Sequence, residues 1–498
     1  MNHLIIAPIV VPAVLAALTV LLARTSILAQ RFIAAIGVFV LAGVAAGLLI
    51  QASTQPPQAY FLGNWPAPFG IVLILDRLSA LMLALTAGLA AAIWAYVIAT
   101  KWDQRGKHFH ALFLFQLMGL NGAFLTGDAF NLFVFFEVLL IASYGLMVHG
   151  GGADRLRAGV QYVAFNLIGS TLFLFGLATI YSVTGTLNMA DLAVKLAVLP
   201  AGDAALVRVA SVMLLLVFAI KGALVPLHFW LPNTYANAPG PVAALFAVMT
   251  KVGAYAVIRC GTLIFGADAT AGLWQSLLTP AALATMALGA IGVLGSHRLG
   301  RIVAFAGIGS MGVVFLAIAG GTPQATSAAL YYLLHSTLAT AALFLLTDLI
   351  KAQRGSDDLN MPMPAFAHSG LISGLFMAAS IAMVGMPPLS GFVGKLLVMQ
   401  SLRSDAAVMW SAILLLTLIT LLGFARAGSQ LFWKPHAFGM APAKREPVTG
   451  VIAILTLLIA LAVFTVLAGP ITAWLDITAE ALHTPAPYIA ANRLPGMQ

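Results

Sequence analysis

The sequence predicts an all-α, polytopic membrane protein that forms one membrane domain over residues 1–498. Hydrophobic residues make up 61% of the chain, charged residues only 8%, and the mean hydropathy is +1.02. A soluble domain of this length needs far more charge to cover its surface. Apolar runs of about 18 or more residues recur along the chain, and each can cross a hydrocarbon core of roughly 30 Å as a helix.

About fourteen apolar runs are predicted to span the membrane. The opening residues Met1-Asn2-His3 lack the basic segment of a cleavable signal peptide, so the first run is expected to be a membrane helix. Two runs, at 205–226 and 368–402, contain internal Gly and Pro and are predicted to be interrupted helices. The predicted spans are 4–23, 32–50, 71–98, 109–126, 129–149, 160–183, 205–226, 241–265, 273–295, 302–319, 325–349, 368–402, 407–433 and 450–474.

The basic residues flank these spans unevenly. Loops after odd-numbered spans carry 14 Lys and Arg residues. Only 5 are assigned to the opposite side, in loops, near span ends or in the C-terminal tail: Lys195, Arg208, Arg259, Arg403 and Arg493. Cytoplasmic loops are enriched in Lys and Arg, so the odd loops are predicted inside and both termini outside. The net charge of +9 is therefore typical of topology-setting loops rather than of nucleic-acid binding. The remaining basic residues fall inside spans: Arg77, Lys221, Lys251, Lys395 and Arg426.

Several enzyme classes are excluded by the motifs. The single cysteine, Cys260, excludes an intramolecular disulfide and a protein-held iron–sulfur cluster. The segment Gly307–Gly312 fits G-x-G-x-x-G, but it lies inside an apolar run with no preceding strand, so helix packing explains it better. The sequence therefore predicts no cofactor, no metal site and no enzyme activity.

Three lysines inside predicted spans are the first candidates for function: Lys221, Lys251 and Lys395. A lysine at that depth costs at least a few kcal/mol, so it must face protein or water. Burial favours the neutral amine and a nearby acid favours the charged form, so such a lysine can gain and lose a proton. The alternative is snorkelling to the interface. Lys251 is least suited to that, because it lies about ten residues, roughly 15 Å, into a continuous span.

An acid and a histidine complete the candidate set. Glu137 lies eight residues into its span, where it would stay charged if it faced a lysine. At roughly 8 Å and an effective dielectric of about 20, such a pair is worth ~2 kcal/mol, enough to gate a proton. A structural pair that ties two helices is the alternative. The unperturbed pKa of a histidine suits a relay at His335, although a lone histidine can simply hydrogen-bond to a neighbour.

The two halves of the chain show a weak likeness. Each carries an interrupted helix with a lysine beside the break, in the segments Ile220–Pro226 and Gly385–Lys395. Paired broken helices in corresponding positions indicate a transport site in an inverted-repeat protein. Carbonyls freed by the break at Pro387 and Pro388 need protein or water as partners, so water is expected beside Lys395.

Longer segments resemble a known family. The runs Leu125–Glu137, Lys221–Asn233 and Ala238–Lys251 resemble the D subunit of Mrp-type (also Mnh or Pha) monovalent cation/proton antiporters. The resemblance covers essentially the full length. The wider family includes the antiporter-like subunits of respiratory complex I and of membrane-bound hydrogenases. The resemblance implies a bacterial inner membrane protein of fourteen helices, with two inverted five-helix repeats that we assign to residues 109–265 and 273–433.

The resemblance also implies roles for the candidates. Glu137 and Lys221 would form a pair, Lys251 the central relay and Lys395 the terminal site, where one complex I relative has Glu. His335 matches only by its place in the eleventh span. Together they would form a charged axis along the membrane midplane.

The sequence therefore predicts a subunit of a multi-subunit antiporter that couples proton movement along this axis to Na⁺ or K⁺ efflux. Its expected partners are the other subunits, the transported ions and the lipid bilayer. The main alternative is a proton-pumping subunit of a redox complex, and a third is a membrane scaffold with incidental charges. The sequence leaves open the cation, the stoichiometry and whether the cation crosses this subunit or a sister subunit.

Overall fold

The computed structural model describes residues 2–22, 26–199, 204–265, 270–361, 363, 368–434 and 448–492. Four basic residues counted in the topology argument lie outside these ranges: Arg24, Lys444, Arg445 and Arg493. The helices are α1 (Ala7–Leu22), α2 (Ile27–Thr54), α3 (Arg77–Thr100), α4 (Phe109–Leu125), α5 (Ala129–Met147), α6 (Ala153–Thr184), α7 (Met189–Ala197), α8 (Ala204–Gly222), α9 (Trp230–Asn237), α10 (Gly240–Leu263), α11 (Leu273–Gly295), α12 (Leu299–Ala319), α13 (Pro323–Arg354), α14 (Ser369–Val384), α15 (Ser390–Ser401), α16 (Ala406–Gly428), α17 (Val448–Val466), α18 (Ala468–His483) and α19 (Ala486–Ala491).

The lengths and composition of these helices confirm a polytopic, helical membrane fold. Within the described ranges, ten helices are long and apolar enough to cross a membrane: α2, α3, α5, α6, α8, α10, α11, α12, α13 and α16. An eleventh span results if α17 and α18 are counted together, and α1, α4 and α14 are shorter apolar helices. The count of fourteen spans stays a prediction.

A short hairpin departs from the all-helical prediction. Strands β1 (Gln58–Phe61) and β2 (Val72–Leu75) pair antiparallel, with Gln58 opposite Leu75. The predicted span at 71–98 therefore begins as a strand. Helix α3 begins only after Asp76, because Asp76 and Ser79 form a capping box in which each side chain accepts from the other's backbone N–H at 2.9 Å.

Both predicted helix interruptions are present. Helix α8 ends at Gly222 and α9 begins at Trp230, while α14 ends at Val384 and α15 begins at Ser390. The second break opens at Gly385, whose φ of +81° favours a residue without a side chain. A third bend was not predicted: α17 and α18 meet at 80°. Pro470, in the first turn of α18, lacks the N–H that a continuous helix needs.

Helices α10 and α13 lie at the centre of the helix array. Their membrane-spanning segments are the most enclosed among the described candidate spans, and they pack directly on each other. Small residues allow close packing elsewhere: a Cβ on Gly289 of α11 would lie 2.5 Å from the Cα of Gly309 of α12. The glycine-rich segment at 307–312 thus lies against a neighbouring helix, as expected for a packing motif.

The helix ends form two faces. The hairpin face comprises β1, β2, α7, α18 and α19, and α19 packs against both β1 and α7. The basic face comprises the loops that join α3 to α4, α5 to α6, α11 to α12 and α13 to α14. It also includes the end of α16 up to Lys434, where Arg426 donates to the Ser296 carbonyl. On this face the backbone N–H of Leu299 donates to the Asp357 carbonyl at 2.8 Å, and Arg155 donates to the Asn237 carbonyl at 2.9 Å.

Each face contains a buried ion pair. On the hairpin face, Arg259 donates to both carboxylate oxygens of Asp76, at 2.6 and 2.8 Å. Arg259, counted above as a flanking charge, therefore lies inside α10 with a partner. On the basic face, Asp103 accepts from Arg31 at 2.6 Å and lies 3.1 Å from His110 Nε2. Burial alone would raise the pKa of Asp103, but the hydrogen bonds with His110 and Arg31 lower it to about 2.

Candidate functional site

Glu137 lies on α5 and is half-buried. Its inward contact is with α6, where the hydroxyl of Ser170 donates to Glu137 Oε1. Phe130, Val134 and Ile141, at helical spacing from Glu137, are all exposed in this chain. Glu137 therefore lies at the edge of an outward-facing stripe of α5, with one face open and the other hydrogen-bonded to α6.

Lys221 occupies the last turn of α8, directly before the break. Its Nζ donates to Asn166 Oδ1 of α6 at 2.9 Å, and the Asn166 amide donates in turn to the Tyr162 carbonyl at 2.8 Å. The ion pairs closer than 4.0 Å in the described ranges do not include Glu137 with Lys221. Asn166 and Ser170 lie one turn apart on α6, so this helix bridges the acid and the lysine.

Lys251 lies in the middle of α10 and is only 1% exposed. Its Nζ makes a long contact of 3.5 Å with the hydroxyl of Thr250. No carboxylate of the described residues lies within ion-pair distance of Lys251. This position excludes snorkelling, and it leaves a charge on Lys251 with little local compensation.

His335 of α13 is fully buried. Its Nδ1 is hydrogen-bonded to the hydroxyl of Ser390 at 2.9 Å, at the start of α15. Its Nε2 makes no hydrogen bond to a described residue. Gly391 allows α15 to pack closely against α13 and α14, because a Cβ there would lie 2.7 Å from His335 Nε2 and 2.2 Å from the Ala382 oxygen.

The side chain of Lys395, on α15, hydrogen-bonds to a backbone carbonyl at the break that precedes it. Its Nζ donates to the carbonyl of Val384, the last residue of α14, at 2.7 Å. It also donates to the hydroxyl of Thr417 on α16 at 2.6 Å. The carbonyl freed by the break thus has the ammonium as its partner, and the water expected beside Lys395 stays a prediction.

The five candidates lie on successive, directly packed helices. Helix α5 contacts α6, α6 contacts α8, α8 contacts α10, α10 contacts α13 and α13 contacts α15. The tertiary structure therefore places side chains that are 258 residues apart in sequence at the extremes (395 − 137) on one series of packed helices, hereafter the row, in which α6 joins α5 to α8.

Sequence reasoning missed four polar residues and one glycine that contact this row. They are Asn166, Ser170, Ser390, Gly391 and Thr417. Asn166 and Ser170 had a usable signal, because two polar residues at i and i+4 in an apolar span share one face. Thr417 had none, since a threonine in a membrane helix usually bonds to its own backbone. In the described ranges, no group of three or more His, Cys, Asp or Glu side chains could hold a metal ion.

Comparison with known proteins identifies the family. The family profile described as NADH:quinone oxidoreductase/Mrp antiporter, TM, matches residues 126–422, a range that contains all five candidates. The D subunit of a probable K(+)/H(+) antiporter of Rhizobium meliloti (strain 1021) is 41% identical over 97% of this chain and 96% of its own length. The D subunit of a Na(+)/H(+) antiporter of Bacillus subtilis (strain 168) is 37% identical over 99% of both chains.

A solved structure agrees with this assignment. A chain in the structure of the Mrp complex from Dietzia sp. DQ12-45-1b superimposes with a TM-score of 0.87. The two chains are 27% identical, and the match covers 99% of this chain and 100% of that one. The chain described here therefore belongs to the NADH:quinone oxidoreductase/Mrp antiporter family, and within it resembles the antiporter D subunits over its full length.

Proposed function

We propose that this chain is the D subunit of a multi-subunit Na⁺/H⁺ or K⁺/H⁺ antiporter of a bacterial cell membrane, and that it carries protons along the row from Glu137 to Lys395. One observation carries the proposal. Five titratable side chains, four of them buried and Glu137 half-buried, lie on successive packed helices of a membrane domain. Intramembrane charges are costly, so such a row is expected to serve ion transfer.

The polar partners suggest how a proton would move. Ser170 and Asn166 link Glu137 to Lys221 through one helix, and Ser390 holds the ring of His335. Hydroxyl and amide groups of this kind can accept one hydrogen bond while donating another. Transfer between the remaining groups would need a side-chain movement or a transient water. The transported cation takes no step in this scheme, and it crosses either this subunit or a sister subunit.

The outward stripe of α5 supports assembly with other subunits. An ionised carboxylate that faced lipid at this depth would cost several kcal/mol. Glu137 lies at the edge of a stripe with exposed Phe130, Val134 and Ile141. A neighbouring subunit on this stripe would remove the carboxylate from lipid.

The finer architecture is part of the proposal. We assign fourteen membrane helices, with inverted repeats at 109–265 and 273–433, because each range contains one broken helix with a buried lysine beside the break. Both termini would lie outside, because the basic face carries most of the loop Lys and Arg residues. Reporter fusions at either terminus that respond only in the cytoplasm would contradict this orientation.

The function is tested with Lys251→Ala in everted vesicles. Exchange should be lost, because no other titratable side chain is available at that position of α10. Lys434→Ala, at an exposed lysine of the basic face, is the matched control and should keep wild-type exchange. If Lys251→Ala fails to assemble, Lys251→Met keeps the length of the side chain without the charge. Wild-type exchange by an assembled Lys251 variant refutes the relay.

A proton-pumping subunit of a redox complex would use the same row, and the family description covers both kinds of protein. The antiporter is favoured because the two relatives above, aligned over nearly their full lengths, are antiporter D subunits. The purified complex decides between them: an antiporter exchanges ions along a pH gradient without an electron donor, whereas a redox pump does not.

A further inference from the structure

A large cavity lies at the hairpin face, away from the polar partners described above. Its volume is about 640 Å³, and its walls come from the hairpin-face ends of α7, α10, α11, α13, α18 and α19. Gln275 and Val198 on its wall are exposed, so the cavity reaches the surface. It has room for many waters, since one water occupies roughly 30 Å³ in the liquid.

Polar side chains line part of this cavity. Gln275, Thr262, Thr326 and His483 contribute to its wall, among apolar neighbours. Thr326 of α13 and His483 of α18 are joined by a hydrogen bond of 2.9 Å, which holds α18 against the start of α13. Groups able to hydrogen-bond water are therefore present on several sides of the cavity.

The part of the cavity wall that α10 contributes lies on the same face of this helix as Lys251. Lys251, Tyr255, Ile258 and Thr262 follow at i, i+4, i+7 and i+11, which places them on one stripe of the helix. Ile258 and Thr262 line the cavity, and Ile258 lies seven residues, or roughly 10 Å along the axis, from Lys251. Tyr255, between them, is held in place by a hydrogen bond from its hydroxyl to the Phe124 carbonyl at 2.7 Å.

We propose that this cavity is an aqueous vestibule that admits water and hydrated monovalent cations from the hairpin face, and that it gives Lys251 its proton access to that side. The inference rests on the proposed function of Lys251. Ile258 and Tyr255 form the apolar constriction between vestibule and lysine, a kind of barrier that can open and close by wetting and drying.

The test uses cysteines in a Cys260→Ser background, because Cys260 is the single cysteine of the chain. Thr262→Cys and Ile258→Cys report on the vestibule. The exposed Ser404, as Ser404→Cys, marks the hairpin face, because nearby Leu402 lies beside Gly320 at the edge of the cavity. The exposed Lys434, as Lys434→Cys, marks the basic face. A charged, membrane-impermeant methanethiosulfonate is applied to each side of the membrane in turn.

We expect Thr262→Cys to be labelled from the same side as Ser404→Cys, with loss of exchange, while labelled Ser404→Cys keeps its exchange. Leu415→Cys, on the exposed apolar face of α16, should remain unlabelled as the lipid-facing control. A cavity filled by a lipid tail would leave Thr262→Cys and Ile258→Cys both unlabelled. That result overturns the vestibule, as does full labelling of Thr262→Cys with unchanged exchange.

The outcomes separate this inference from the function on which it rests. Exchange measured in each cysteine variant before labelling is independent of the vestibule. A Thr262→Cys, Lys251→Ala double variant should lose exchange but keep its labelling. If the vestibule is absent, exchange survives in the unlabelled variants and labelling fails. If the relay is wrong, labelling succeeds and Lys251→Ala still exchanges.

Discussion

Removing one hydroxyl beside Lys395 should move the pH dependence of exchange. Thr417→Val deletes the acceptor that lies 2.6 Å from Lys395 Nζ and leaves the Val384 carbonyl, at 2.7 Å, in place. A hydrogen bond to a charged group contributes about 1.5–3 kcal/mol. The hydroxyl stabilises the protonated amine, so its loss favours the neutral form. At 1.36 kcal/mol per tenfold change, exchange should reach half its maximum about 1–2 pH units lower than in the wild type.

The assay is cation/proton exchange in everted vesicles across a series of pH values. Thr420→Val is the matched control, because Thr420 lies on the same helix and bonds to its own helix at the Leu416 carbonyl, at 2.8 Å. The control should keep the wild-type profile. Identical pH profiles for Thr417→Val and Thr420→Val would refute the argument that this hydroxyl stabilises the charge on Lys395.

The remaining predictions concern Glu137 with Lys221, the packing beside His335, and the ion pair of Asp103 with Arg31. In a double-mutant cycle, Glu137→Gln and Lys221→Ala should reduce exchange non-additively, because the acid favours the charged lysine; strictly additive losses would mean that they do not act as a pair. Gly391→Ala should abolish exchange or assembly, because its Cβ would lie 2.2 Å from the Ala382 oxygen, whereas Gly374→Ala, with open space, should be silent in the same assay. Asp103→Asn should lower thermal stability at neutral pH, because a buried charge pair broken on one side costs about 3–5 kcal/mol. The pKa of Asp103 is lowered to about 2, so its contribution is complete above the ordinary value of 3.8 and is lost as the pH falls through about 2; a melting temperature equal to wild type at pH 7 would contradict this.

The extent to which sequence predicts structure differs from one segment to the next. The break before Lys395 was predictable, because the consecutive residues Pro387 and Pro388 remove two amide donors and clash with the preceding turn. The start of α3 was not predicted, because the short apolar run Val72–Leu75 fits a buried strand as well as it fits the first turn of a helix. The bend at Leu467 was missed for a related reason: hydropathy averages across Gly469 and Pro470 without registering the turn.

The sequence by itself determined the class of protein and the candidate residues for its chemistry. Membrane thickness sets the length of each apolar run, and the cost of a charge at that depth marks Lys221, Lys251 and Lys395 directly. Both arguments depend on composition along the chain, so they need no knowledge of which helices touch.

The tertiary structure alone decided the partners of these residues. Lys221 bonds to Asn166, 55 residues away, Lys395 to Thr417, 22 residues away, and Arg259 to Asp76, 183 residues away. A long apolar helix can pack against several neighbours at similar cost, because lipid and side chains are equally apolar, and the choice among neighbours is made by packing and hydrogen bonds between helices. Such choices leave no periodic signal in either helix alone, which is why the row of charges was predictable and the groups that hold it were not.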